Sequence, residues 1–419
     1  MTGQAPLAAA DIDAVAHRSL QLGRLMLLNG AGTEEVQDAV ARFAHAFGCE
    51  AQLLVSYEAL LLTILAGENF RTKIGQRLPA MNVGLAALTA LDRLVNDAEA
   101  GRCSLQAAGA ELEAIEHRPA EYNRWVVVVM LGLTAASLSR LFGGDWPAFA
   151  VTWLAGAAST WLRQQMGMRH ANPAAVAFSA ATLGGLVGGI AVQLGLSATP
   201  SLCLVAPGMI LVPGVPLINA VLDAIRNHMT LALARLGFAT LITIAVAFGL
   251  FVATILTGAA IPVQEPTLAI AIWQDAVFSA LSALGYVFLF GVPARVAWAC
   301  VICGIASHTT RTLGVHVGID IVAGTLIGAM VVGCLAQGFA RLFHAPAAAF
   351  AFPGVVAMVP GAYAFRAIIG SLQIVHGIAT PSLVTDTLAL GFAAVLMIGA
   401  IAVGIAAPAV LLRAGSARR

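Results

Sequence analysis

Glu121-Tyr122-Asn123-Arg124, followed at once by Trp125-Val126-Val127-Val128-Val129, is where the chain changes solvent. Residues 1–124 hold fifteen of the 21 acidic and ten of the 22 basic residues; residues 125–419 hold six and twelve. Over all 419 residues only 10% are charged and the mean hydropathy is +0.88, against roughly a quarter charged in soluble domains. The reading is a polytopic α-helical membrane protein with a small N-terminal α/β domain. A net charge of +1 leaves no electrostatic footprint for a nucleic-acid partner. Asp11, Asp13, His17 and Arg18 interrupt the first apolar residues. No targeting peptide is expected, and the N-terminal domain should stay in the cytoplasm.

Within residues 1–124, Leu20, Leu22, Leu25, Met26 and Leu28 form one helix face that Asn29-Gly30 ends. Thr33 reads as the next N-cap, with Glu34 and Glu35 favourable in the first turn, and Gly48 closes that helix. Ala51–Ser56, Leu60–Leu65 and Phe70–Gly75 read as strands, and 83–99 and 104–116 as helices.

The remainder divides into ten apolar segments near 125–141, 146–163, 172–195, 200–218, 235–258, 268–290, 293–307, 316–340, 347–366 and 384–412. A bilayer needs roughly twenty residues per crossing. Arg124, Arg163, Arg169, Arg226, Arg235, Arg295, Arg341, Arg413, Arg418 and Arg419 fall on one side of this arrangement. Arg140, Arg311 and Arg366 fall on the other. By the positive-inside rule both termini are cytoplasmic, in a bacterial inner membrane.

The membrane part repeats. Thr182-Leu183-Gly184-Gly185, Pro207-Gly208 and Val212-Pro213-Gly214 recur as Thr325-Leu326-Ile327-Gly328, Pro353-Gly354 and Val359-Pro360-Gly361. Five crossings per half is an odd number, so 125–260 and 261–419 form an inverted pair with helices broken in corresponding positions. Proline removes a helix hydrogen bond and glycine permits unusual backbone angles. Such breaks either expose polar backbone to a zwitterionic ligand or serve as kinks for packing. On the first reading, valine at Gly214 or Gly361 fills ligand space.

Asp223, Asp275, Asp320 and Asp386 lie in or beside apolar segments, where a carboxylate is costly and functional by default. All four are candidates for proton coupling. Asp223 precedes Arg226-Asn227-His228, near a cytoplasmic mouth, and Asp275 lies well inside its segment. Asp320 and Asp386 fit helix N-caps equally well. Arg366 either pairs with a carboxylate or snorkels. His170, His308, His316 and His376 read as interfacial anchors. The pairs at Gly184-Gly185 and Gly188-Gly189 permit close helix packing. Cys300 and Cys303 lack the second pair a metal or redox site needs, and no Walker motif occurs. No cofactor or metal is expected.

Leu22-Gly23-Arg24-Leu25, Gly30-Ala31, Glu34 and Val36, then Asn82 through Leu91-Asp92-Arg93-Leu94, resemble blocks of the threonine/serine exporter family. Val212-Pro213-Gly214-Val215-Pro216-Leu217-Ile218-Asn219, Asp223 and Ala234-Arg235-Leu236 are the most specific match. Val292-Pro293-Ala294-Arg295 through Val359-Pro360-Gly361 is similar to the family's second domain. Asp223 has no acidic counterpart, since Gly370 stands ten residues beyond Pro360. The resemblance implies proton-coupled export of threonine and serine. Pro213, Gly214, Asn219, Asp223, Pro360, Gly361 and Arg366 are the substrate-site candidates. The implied partners are the lipid bilayer, a small-molecule substrate and a possible second copy of the chain. Split relatives imply a dicarboxylate such as succinate as the alternative. A membrane-bound hydrolase would have to draw its carboxylates from Glu58 or from Glu111, Glu113 and Glu116.

Overall fold

A computed structural model describes residues 9–67, 69–76, 83–263, 270–343, 345–377 and 380–416. Asn82, Arg418, Arg419 and the first eight positions lie outside the described residues.

The N-terminal unit forms as its patterning requires. Helix α1 (Ala9–Leu28) buries Ile12, Val15, Leu22, Leu25 and Met26. Gly30, at φ 90°, ends it in a conformation a Cβ would strain. Helix α2 (Thr33–Ala46) corrects one expectation: Gly32 is the N-cap, and Thr33 turns into the core at 1% exposure. Gly48 closes α2 at φ 77°. Strands β1 (Glu50–Val55), β2 (Ala59–Ala66) and β3 (Asn69–Gln76) make an antiparallel sheet in that order. Leu60, Leu62 and Ile64 alternate onto its buried face. Helices α3 (Leu85–Glu99) and α4 (Leu105–Glu116) complete the unit.

Two sets of six helices follow. The first is α5 (Arg124–Leu141), α6 (Trp146–Met168), α7 (Pro173–Gln193), α8 (Pro200–Met209), α9 (Gly214–Ile225) and α10 (Met229–Thr257). The second is α11 (Ile272–Leu289), α12 (Ala294–His316), α13 (Ile321–Phe343), α14 (Ala348–Val355), α15 (Gly361–Val375) and α16 (Pro381–Ser416). Starts at 124, 146, 173 and 200 recur at 272, 294, 321 and 348, each 148 residues later. The starts at 214 and 229 recur at 361 and 381. Asn123, Asp145, Asn172 and Asp320 accept backbone N–H groups at the starts of α5, α6, α7 and α13.

Six of these helices (α5, α7, α10, α11, α13 and α16) are long and apolar enough to cross a membrane. Counting the bent pairs α8–α9 and α14–α15 as one span each brings the total to eight. The expected ten is therefore not reached by apolarity. At 23 residues each, α6 and α12 have the length but not the composition, carrying Arg163 and, in α12, Arg295, His308 and Arg311. The seventh segment is not short, since α12 continues through 308–316.

The N-terminal unit shares one buried core with the helices it sits on: Leu22 and Phe43 belong to the same cluster as Ile218, Tyr286 and Phe350. Leu85 N–H donates to Phe290 O (2.9 Å) and Tyr122 Oη to Val292 O (2.6 Å). The end of α11 and the start of α5 therefore lie at the same end of the bundle, beside the unit. Asp145 and the Ser197–Thr199 turn bond to each other at the far end.

Candidate transport site

Both helix breaks have the same construction. Gly214 N–H donates to Val212 O at 2.8 Å around Pro213 (φ −77°, ψ 64°). Gly361 N–H donates to Val359 O at 2.8 Å around Pro360 (φ −79°, ψ 51°). Each is an inverse γ-turn, for which proline's fixed φ is already set. The axes bend by 59° at the first break and 44° at the second.

The two turns face one another reciprocally. A Cβ on Gly214 would lie 3.1 Å from Val359 Cγ2, and one on Gly361 would lie 2.7 Å from Val212 Cγ2. Each glycine thus meets the valine that opens the other turn. This corrects the expectation for valine at these positions: it would strike the opposite break rather than fill ligand space. Gly361→Ala should cost about 1–3 kcal/mol by overpacking, because valine has little freedom to turn aside. Gly214→Ala should cost less than half as much. Thermal unfolding of both variants in detergent checks the order.

Asp223 is buried at 1% exposure and is not an open mouth residue. Its Oδ2 accepts from Arg235 Nη1 at 2.7 Å, and Arg235 Nη2 reaches Ala31 O at 3.2 Å. Asn219 Nδ2 donates to Gly30 O at 3.2 Å, and Arg226 pairs with Glu34 at 2.8 Å. Arg235 had marked a cytoplasmic helix end in the sequence. It lies inside α10 at 1% exposure because Asp223 on α9 neutralises it. The Gly30–Ala31 turn therefore covers this end of the broken helix. Gly370 and Thr387 hold the corresponding places in the second half and also touch: a Cβ on Gly370 would lie 2.3 Å from Thr387 Oγ1. Both members of the pair are thus replaced together.

Beside that turn, Glu35 Oε2 accepts the Gly32 N–H at 3.4 Å. Burial, aided by Asp92 and Asp38 and opposed by the Gly32 hydrogen bond and Arg226, pushes its carboxyl up to about 7. A carboxyl whose folded pKa is raised stabilises the fold at low pH and loses that contribution as pH rises through the folded value. Partial exposure limits the effect to about 1–2 kcal/mol between pH 5 and 8. Glu35→Gln should flatten the fall in melting temperature over that range.

Asp275 lies in the first turn of α11 rather than deep within its segment, yet is fully buried. Its Oδ2 accepts from His308 Nδ1 (2.7 Å) and Thr312 Oγ1 (2.6 Å), and its Oδ1 from Thr309 Oγ1 (3.1 Å). Arg311 donates to His308 Nε2. Guanidinium has no acceptor, so Nε2 must accept and Nδ1 carries the proton. His308, at 2% exposure, is therefore not an interfacial anchor; it links two charged groups inside the bundle.

Arg366 is buried and reaches Ser201 Oγ on α8 at 3.4 Å, so it does not snorkel. Asp320 is exposed and caps α13. Asp386 sits past the first turn of α16, whose start is capped by Thr380 instead. Gly184 and Gly188 pack closely on Ser159 and Cys203, and Cys300 and Cys303 are buried packing residues. Among the described residues no cluster of three His, Cys, Asp or Glu forms a metal site. Glu113 and Glu116 are tied to Arg18 and Arg24, which leaves no free carboxylate pair for hydrolysis there.

Residues 17–257 match a family model described as "Putative threonine/serine exporter", and residues 275–411 a second described as "Threonine/Serine exporter, ThrE". The chain belongs to the threonine/serine exporter family. It is the form with both family domains in one chain, a membrane transporter of a small molecule and not an enzyme. The "Probable succinate transporter subunit YjjP" of Escherichia coli K12 is 30% identical over 58% of this chain and 95% of its own length. The "Probable threonine/serine exporter" of Mycobacterium tuberculosis H37Rv is 26% identical over 84% of this exporter and 68% of its own length. No solved structure matches.

Proposed function

We propose that this family member is a secondary active, proton-coupled exporter of threonine and serine. The observation that carries the reading is the reciprocal contact of two matching helix breaks, Val212-Pro213-Gly214 and Val359-Pro360-Gly361. Broken helices meeting in this way are the construction that alternating access uses. Ten crossings follow if α6 and α12 span, the His308 and Arg311 of α12 being held inside the bundle with Asp275. The halves are then inverted, since α5 starts at the end where its counterpart α11 finishes. Residues 1–124 form a cytoplasmic cap, 125–260 and 261–419 are the two halves, and both termini lie inside the inner membrane.

Substrate binds where the breaks separate, with Pro213, Gly214, Pro360 and Gly361 supplying backbone groups and Asn219 and Arg366 flanking them. Asp223–Arg235, latched to the Gly30–Ala31 turn, is the inner closure. Asp275–His308–Arg311, near the opposite end, is the proton-loading centre. A proton arriving at His308 Nε2 removes the lone pair that accepts from Arg311 and expels that guanidinium from its place beside the ring. Asp320 and Asp386 are secondary candidates for proton transfer.

The test is counterflow in proteoliposomes: labelled threonine should accumulate against internal unlabelled serine. The YjjP relatives favour a second reading, in which succinate exchanges and threonine does not. Exchange of neither compound sinks the carrier reading.

A further inference from the structure

A cavity of about 380 Å³ lies where the N-terminal unit meets the start of α12, lined by Thr89, Arg93, Arg118, Glu121, Ala294 and Arg295. Three elements each contribute an arginine to its lining: Arg93 from α3, Arg118 from the segment after α4, and Arg295 from the first turn of α12. Arg118 is held by Glu121 at 3.2 Å. Among the described residues no ion pair is found for Arg93 or Arg295. The site therefore keeps an excess of two positive charges.

The cavity's walls are fixed. Leu85 N–H to Phe290 O ties α3 to the turn before α12, and Tyr122 Oη to Val292 O ties the Arg118 segment to the same turn. Tyr122 also packs on Phe288, with ring centroids 4.5 Å apart. The first N–H groups of α12 open beside Ala294 and Arg295, where a helix favours an anion. Arginines gathered from separate elements suit a tetrahedral, multiply charged oxyanion, because each guanidinium presents two parallel donors. Arg93 and Arg295 also stand in sequence blocks that neither the breaks nor the buried charge clusters use.

We propose that this cavity binds a phosphate group and thereby clamps the N-terminal unit to the second half of the bundle. Its place at the start of a membrane helix allows the phosphate to come from an anionic lipid headgroup or from a free phosphate compound. The inference is independent of which substrate is carried.

The experiment is thermal unfolding of the full chain in neutral detergent at constant ionic strength. The probes are short-chain phosphatidylglycerol, pyrophosphate and short-chain phosphatidylcholine. A phosphate ligand should raise the melting temperature by about 3 °C or more at saturation. Arg93→Gln and Arg295→Gln should each at least halve that shift. Arg169→Gln removes an exposed arginine elsewhere and should keep it. A shift with phosphatidylglycerol alone identifies the headgroup as the source; a shift with pyrophosphate as well identifies free phosphate. The proposal is overturned if no probe shifts the protein, if phosphatidylcholine does as well as phosphatidylglycerol, or if the shift survives in the Arg93→Gln/Arg295→Gln double variant.

Discussion

Asp223→Ala is expected to destabilise the protein by about 3–5 kcal/mol, more than overpacking at either helix break. Removing the carboxylate leaves the Arg235 guanidinium at 1% exposure with Ala31 O as its remaining hydrogen-bond partner. A buried charge without its counter-charge keeps its full desolvation cost and loses the attraction that offset it. Asp223→Asn should lose less, since the amide oxygen still accepts from Nη1. Replacing both partners, as in Asp223→Leu with Arg235→Met, should recover most of the stability. Transport should not recover in that double variant, because an apolar pair has no reason to open when the Gly30–Ala31 turn leaves. Melting temperature in detergent and counterflow of threonine give the two readouts. A single Asp223→Ala variant as stable as its parent would dismiss the pair as a lock. A double variant that transports normally would assign it to folding alone.

The sequence was most legible where one residue type has few options. Pro213-Gly214 and Pro360-Gly361 could be read as helix breaks because proline cannot donate and glycine has no Cβ to strain. Their matching positions in the two halves recur in the structure, where each glycine meets the valine that opens the other turn. The N-terminal strands and helices were legible because a half-buried sheet and amphipathic helices each leave a period. Illegible were the pairings of buried charges. Arg235 reads as a helix-end arginine until α9 folds back and brings Asp223 against it. Ser307-His308-Thr309-Thr310-Arg311-Thr312 looks like the end of a membrane segment, six polar or charged residues in a row. It is instead mid-helix, with His308, Thr309 and Thr312 turned onto Asp275 thirty-odd residues earlier. The usable signal was there: polar residues at i and i+4 share one face of a helix, and i+1 lies at the edge of the same stripe. A carboxylate in the preceding segment is what such a face requires.

His308→Gln is expected to separate exchange from energy coupling. The imidazole sits between a donor and an acceptor of fixed sign: Arg311 gives to Nε2, and Nδ1 gives to Asp275 Oδ2 at 2.7 Å. Glutamine offers an oxygen for Arg311 and an NH₂ for Asp275, so it reproduces both hydrogen bonds of the neutral ring. What it cannot do is take up a proton at the atom that faces Arg311. On the proposed mechanism counterflow of threonine needs only the alternation of the breaks and should therefore persist at a third or more of the parent rate, on the order of 0.6 kcal/mol in barrier. Accumulation driven by an imposed pH gradient should fall at least about tenfold, and the pH dependence of export should flatten. Asp275→Asn removes the charge that holds Arg311 in the bundle and one of the two oxygens that accept from Ser279, His308, Thr309 and Thr312. It should depress both activities together. If His308→Gln loses counterflow and gradient-driven export equally while melting like the parent, the histidine is part of the moving machinery rather than its proton site. If it loses neither, proton coupling runs through another group, and Asp386 on α16 is the next to change.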